Sequence, residues 1–220
     1  WLPKSGSSFD LSIALAILIA HGTVPQEPFT SMVVLGELAL DGKVRSVRGV
    51  LPALIAAYKS GIKRALVSPE NYGEASLMTQ MQIFTFPNLA QVLRFLRTGE
   101  ITTAPQLDLE LSAEDVQPDF SDVAGQTRAR FAAEVAASGG HHLLLIGPPG
   151  AGKTMIAARL PTILPALGID QALEVTAVHS IAGSLGTRSP MSLVAPIVSP
   201  HHSASRVAMV GGGSHAIKPG

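Results

Sequence analysis

The chain has 220 residues, enough for one large domain or two small ones, and is 46% hydrophobic and 15% charged. That balance is globular and rather apolar, and it excludes a disordered chain. A formal net charge of +0 gives no electrostatic reason to expect nucleic acid or an acidic membrane as partner, and the absence of cysteine excludes disulfides, thiolate metal sites and cysteine nucleophiles.

The apolar run LSIALAILIA at 11–20 is too short to cross a bilayer and lacks the basic leader and cleavage site of a signal peptide. It reads as a buried helix over about 9–21, with Ser8 or Asp10 near its N-cap, in a cytoplasmic protein with no membrane partner. Residues 30–40 read as a strand leading into the turn Asp41-Gly42-Lys43-Val44. A helix over about 49–60 and a buried strand over 61–69 follow. The apolar spacing of Leu89, Val92, Leu93 and Leu96 predicts a further helix closed by Gly99. The segment EITTAPQLDLELSAEDVQPD is acidic, proline-dotted and poor in aromatics, as a linker is. The expected organisation is a unit at 1–104, a linker at 105–118 and a second unit at 119–220. Trp1 and the closing Lys-Pro-Gly do not look like natural boundaries, so both units are expected to be incomplete.

In the second unit, a helix over about 127–138 and an apolar strand at 143–146 precede Gly147-Pro148-Pro149-Gly150-Ala151-Gly152-Lys153-Thr154. This octapeptide satisfies G-x-x-x-x-G-K-[ST] at every required position. Glycines let successive amides converge on phosphate oxygens where a Cβ would intrude. A following helix turns its positive end to the same anion. Lys153 supplies a charge for the β- and γ-phosphates of ATP, and Thr154 a hydroxyl for Mg²⁺. Hydrolysis needs more: an acidic residue closing a neighbouring strand, and a group that orients water. After Lys153 the only carboxylates are Asp170 and Glu174, in the helix-like ALGIDQALEV, where a solvated helix face is the expected role. Neither is assigned to catalysis.

Asp122-Val123-Ala124-Gly125-Gln126 resembles the passage that AAA+ ATPases place ahead of their first strand, and the likeness implies that Val123 and Gly125 hold adenine. The tail PIVSPHHSASRVAMVGGGSHAIKPG is similar to the magnesium-chelatase-like branch of AAA+ proteins and, more closely, to the ComM/YifB family. His201 and His202 are adjacent, and adjacent side chains on a strand point to opposite faces, so a loop-positioning role is expected rather than a shared metal. Gly211 to Gly213 lack a following Gly-Lys-Ser/Thr and are no second phosphate loop.

With that resemblance in view, Pro3-Lys4-Ser5-Gly6-Ser7-Ser8, Gly36-Glu37, Gly42-x-Val44 and GIKRALVSPEN at 61–71 are similar to Lon proteases. The likeness implies a truncated Lon protease-like domain of the ribosomal-S5-like α+β group, followed by a truncated P-loop AAA+ α/β domain. Lon chemistry pairs a serine with a lysine that takes its proton. Ser8 stands at the serine position, but a gapless alignment puts Leu51 at the lysine position, with Lys43 and Lys59 no obvious substitutes. Peptidase activity is therefore not expected, and Ser8 is read as a helix N-cap. The family resemblance implies ATP-driven DNA remodelling and branch migration by a hexameric homo-oligomer. Nothing in the residues reads as a DNA motif, and no motif picks Arg188 or Arg206 as a finger to a neighbouring site. The alternatives are a magnesium-chelatase-type ATPase subunit, disfavoured by the Lon-like unit, and a Lon-like serine peptidase, disfavoured by Leu51.

Overall fold

A computed structural model describes residues 6–99, 118–185, 191–201 and 203–212, with the side chains of Pro28 and Ala208 left aside. Lys4, all of the expected linker except residue 118, Arg188, His202 and Gly213 lie outside the described residues.

The expected first unit, residues 6–99 of those described, begins with α1 (Asp10–Ala20). Its N-cap is Phe9, with no side-chain cap, so neither Ser8 nor Asp10 fills the expected role. Asp10 is instead the first helical residue, where its charge faces the positive end of the helix. Ser8 contributes its carbonyl, which accepts the Gly36 amide at 3.1 Å. The helix is also not buried throughout. Leu11 and Leu15 face the core, while Phe9, Ile13 and Ile17 are exposed by 61%, 46% and 56%.

The single strand expected over 30–40 is two: β1 (Met32–Val34) and β2 (Glu37–Leu38). Gly36 is where the chain changes partner. Its amide and carbonyl bond to Ser8 and Leu11 of the α1 approach. A Cβ there would sit 3.0 Å from Val44 Cγ1, too close for any larger residue to pass the hairpin comfortably. β2 then pairs antiparallel with β3 (Val44–Arg45) across the Asp41-Gly42 turn, in which Asp41 Oδ1 accepts the Lys43 amide at 3.1 Å. α2 (Val50–Lys59) leads to β4 (Arg64–Val67), a short α3 (Tyr72–Ala75), β5 (Gln82–Thr85) and α4 (Leu89–Thr98). Asn88 Oδ1 caps α4 by accepting the Gln91 amide, and Gly99 closes it at φ +71°.

β1, β4 and β5 form a parallel sheet in the order β1-β4-β5, with Val33 opposite Ala65 and Ala65 opposite Ile83. Alternate residues of β4 serve opposite layers, as the strand period requires. Leu66 packs with Leu11, Leu15, Phe84 and Val92, between the sheet and α1 and α4. Ala65 and Val67 pack with Val50, Leu51 and Leu54 of α2 on the other side. The architecture is mixed α/β.

The second unit has α5 (Thr127–Gly139), α6 (Lys153–Arg159), α7 (Ile169–Ala182) and α8 (Arg206–Val210). The strand expected at 143–146 does not form, and among the described residues no segment pairs with it. Its side chains still alternate. Leu143 and Leu145 pack against the cluster of Phe120, Val123, Ala133 and Ile156, whereas Leu144 and Ile146 are exposed by 81% and 87%. A strand is defined by the neighbour that satisfies its backbone, and this run has the pattern without the neighbour. α7 packs chiefly on α2 of the first unit, and its Leu173 and Ala177 extend the core beneath that helix.

Candidate functional site

The loop expected to hold phosphate combines two left-handed glycines with one tethered lysine. Gly150 and Gly152 stand at φ +79° and +80°, values that L side chains rarely adopt. Between them the Ala151 amide bonds to the Pro148 carbonyl at 3.3 Å, closing a tight turn. Gly152 is the N-cap of α6, so the loop ends where the helix begins. Lys153 Nζ folds back and donates to the carbonyls of Gly147 at 2.9 Å and Pro148 at 2.8 Å. An ammonium has three donors. Two of them are engaged here, both by carbonyls of the loop. Pro149 and Thr154 are exposed at the loop's crest and at the start of α6.

The Asp122–Gln126 passage lies against this loop. Gly125 and Gln126 are both left-handed, at φ +67° and +52°, and Gln126 Nε2 donates to the Ala151 carbonyl at 3.3 Å. Val123 is fully buried among Phe120, Ala133 and Ile156, so its side chain serves the core. Its carbonyl accepts Arg130 Nη1 at 3.1 Å, and the same guanidinium stands 5.8 Å above the Phe120 ring. The Phe120 amide bonds to Thr162 Oγ1 at 3.0 Å, tying the passage to the turn after α6. At its head, Asp119 Oδ1 accepts the Ser121 amide at 2.7 Å, and the Ser121 hydroxyl and amide hold the Asp119 carboxyl below the usual carboxylate range. Gln126 carried no assignment from the sequence. Its signal was a side chain directly after a turn glycine in a passage bound for the loop.

Asp170 and Glu174 lie exposed on α7, as a solvated face requires. His201 is exposed and shares a 2.6 Å hydrogen bond between its Nδ1 and Ser203 Oγ. Among the described residues no three metal-ligating side chains converge. Arg206 is exposed on α8.

The position compared with a Lon lysine is apolar in fact as well as in name. Leu51 is 0% exposed, inside the α2 core, and its amide donates to Glu74 Oε2 at 3.2 Å. Ser8 is half-buried. Lys43 is exposed and paired with Asp41 at 3.3 Å, and Lys59 is exposed in the last turn of α2.

Two family models match the chain: "Magnesium chelatase, subunit ChlI" over residues 119–220, and "Subunit ChlI of Mg-chelatase" over residues 1–71. The chain belongs to this magnesium-chelatase family. Within it, the chain is ComM/YifB-like. An uncharacterized protein of Mycobacterium tuberculosis is 47% identical over 100% of this chain and 43% of its own length. The competence protein ComM of Haemophilus influenzae is 38% identical, again over 100% of this chain and 43% of its own length. The Lon protease of Helicobacter pylori is 34% identical over a part, 41% of this chain and 11% of the protease. The chain therefore spans less than half the length of the relatives it matches from end to end. Among the described residues no helix is long and apolar enough to cross a membrane.

Proposed function

We propose that this chain is the ATP- and Mg²⁺-binding part of a ComM/YifB-like AAA+ ATPase, and that it grips nucleotide without hydrolysing it alone. The observation that carries this is the tethering of Lys153 by Gly147 and Pro148, which fixes its ammonium above a loop of left-handed glycines. An ammonium held against a glycine-rich loop that leads into a helix N-terminus suits a polyphosphate. Gly147, Pro148, Pro149, Gly150, Ala151, Gly152, Lys153 and Thr154 hold the phosphates, while Gly125 and the Val123 backbone border the base. Thr154 Oγ1 is a hard oxygen donor that fits Mg²⁺, and the ion would neutralise phosphate charge when bound.

Hydrolysis is a different matter. Asp170 and Glu174 are the only carboxylates after Lys153, and both sit on a helix rather than at the end of a strand beside the loop. In the whole protein the same site belongs to a cytoplasmic hexamer that remodels DNA, a reading supported by the likeness to ComM and YifB. The magnesium-chelatase description of the family would equally allow metal insertion into a porphyrin. The end-to-end likeness to ComM favours the first reading.

Titration with a fluorescent ATP analogue in the presence of Mg²⁺ tests the proposal. Saturable binding lost in Lys153→Ala, with no phosphate release from either protein, is the expected result. Equal binding by both proteins, or steady turnover by the wild-type chain, overturns it.

A further inference from the structure

α7 follows the phosphate loop in the chain but seats itself on the first unit, and the seat is polar at its centre. Ser180 is 2% exposed and donates from Oγ to Glu74 Oε2 at 2.5 Å, while its carbonyl accepts the Gly49 amide at 3.1 Å. Glu74, 6% exposed, has its other contacts within the first unit: Asn71 Nδ2 at 2.8 Å and the Leu51 amide at 3.2 Å. At the rim, Arg48 lies over the C-terminal end of α7 so closely that a Cβ on Gly183 would stand 2.4 Å from its Nε. A cation there faces the negative end of the helix.

A generic helix contact needs only apolar shape. This one places a buried carboxylate under a single hydroxyl, and a buried carboxylate is costly unless its oxygens are satisfied. Without Ser180, Glu74 loses one of the three groups that solvate it. The seat therefore discriminates for this helix in this register. From Lys153 to α7 the chain is α6, one turn of 3-10 helix over Leu160–Ile163 and residues 164–168. A shift of α6 thus has a short path to the seat.

We propose that α7 is a docking helix that couples the phosphate loop to the first unit, with Glu74 as the receptor for Ser180. Loop occupancy and docking then favour each other, because coupling between two binding equilibria is reciprocal. The coupling rests on the ATP reading above, whereas the docking does not.

Amide exchange by NMR on the whole chain separates the two. In the nucleotide-free protein, Ser180→Ala should speed exchange at Gly49 and Leu51 by about tenfold while leaving the β4 amides unchanged, since a hydrogen bond to a charged group is lost locally. Arg48→Ala, at the exposed rim, should speed Gly49 by a smaller factor and serves if the first variant unfolds. Unaltered exchange at Gly49 in a folded variant overturns the docking role. With MgATP, Ser180→Ala should bind the analogue about fivefold more weakly than wild type. Equal affinity overturns the coupling and leaves the docking. If wild type binds no nucleotide, the ATP reading and the coupling both fall, and exchange in the free protein still decides the docking.

Discussion

Gln126 Nε2 reaches the carbonyl of Ala151 at 3.3 Å from a backbone held at φ +52°, and among the described residues it is the only non-glycine with positive φ. Such a conformation costs a side-chain-bearing residue about 1 kcal/mol. The carboxamide bridges the passage at 122–126 to the middle of the phosphate loop, so loss of the side chain and relief of the strain can be separated. Gln126→Gly should hold or slightly raise the melting temperature while weakening binding of the ATP analogue severalfold. Gln126→Ala keeps the strain, loses the bridge and should fall in both. Wild-type affinity in Gln126→Gly would show that the bridge positions nothing.

Leu51 tests the peptidase reading from the folding side. It is 0% exposed in α2 and packed with Val50, Leu54 and Val67. Leu51→Lys puts an ammonium into that core, with Glu74 already engaged by three donors. The expected outcome is a loss of about 3 kcal/mol or more, read in urea unfolding, with no peptide cleavage gained. Casein-type hydrolysis by the wild-type chain, abolished in Ser8→Ala, would reverse the argument.

How much of this was legible in the residues depends on where each signal is stored. α2 and α4 were readable to within about a residue at either end, because their stops are local: Gly49 and Gly99 are left-handed, and Asn88 caps with its own side chain. The break at Gly36 was not, since it depends on Val44 and Leu11, which approach from elsewhere in the chain. The phosphate loop was visible as a motif, yet the tether between Gln126 and Ala151 joins residues 25 apart. The small polar face of α7, Thr176 and Ser180, looks solvated by composition. Its burial comes from α2 and from Glu74, 106 residues before Ser180. Ala172, Thr176 and Ser180 do recur every four residues on one helix face, but small and polar side chains do not mark that face as buried.

Asp119 gives a pH dependence with a definite sign. Ser121, by its hydroxyl and then its amide, holds the folded carboxyl below its unfolded value. A group with a lowered folded pKa contributes stability above its unfolded pKa and loses it as pH falls through the folded value. The turn over Phe120–Asp122 should therefore loosen only in acid, below the ordinary carboxylate range. Protection of the Ser121 amide, its NMR exchange rate taken relative to an unstructured peptide at the same pH, should fall across that window. Asp119→Asn should flatten that fall, and a persistent fall in that variant would assign it to another group. The carboxylate is fully solvent-facing, so salt should blunt the effect.

The run at 143–146 is the segment expected to drive self-association of the chain. Leu144 and Ile146 project outward, 81% and 87% exposed, beside a backbone that no described segment pairs. Alternate apolar side chains on an unpaired extended backbone form a template for a strand from another molecule. Leu144→Thr with Ile146→Lys leaves the inward pair, Leu143 and Leu145, against Ile156 and keeps the loop residues intact. Thr brings a β-branched side chain in place of the γ-branched leucine, and the lysine repels a second copy at the edge. The double variant should lower light scattering at a given concentration while its melting temperature stays within about 1–2 °C of wild type, as surface substitutions outside the core do. Unchanged scattering would move the cause to another exposed apolar group among the described residues, with Phe9, Ile13 and Ile17 on α1 next to be tested through a single Ile13→Lys.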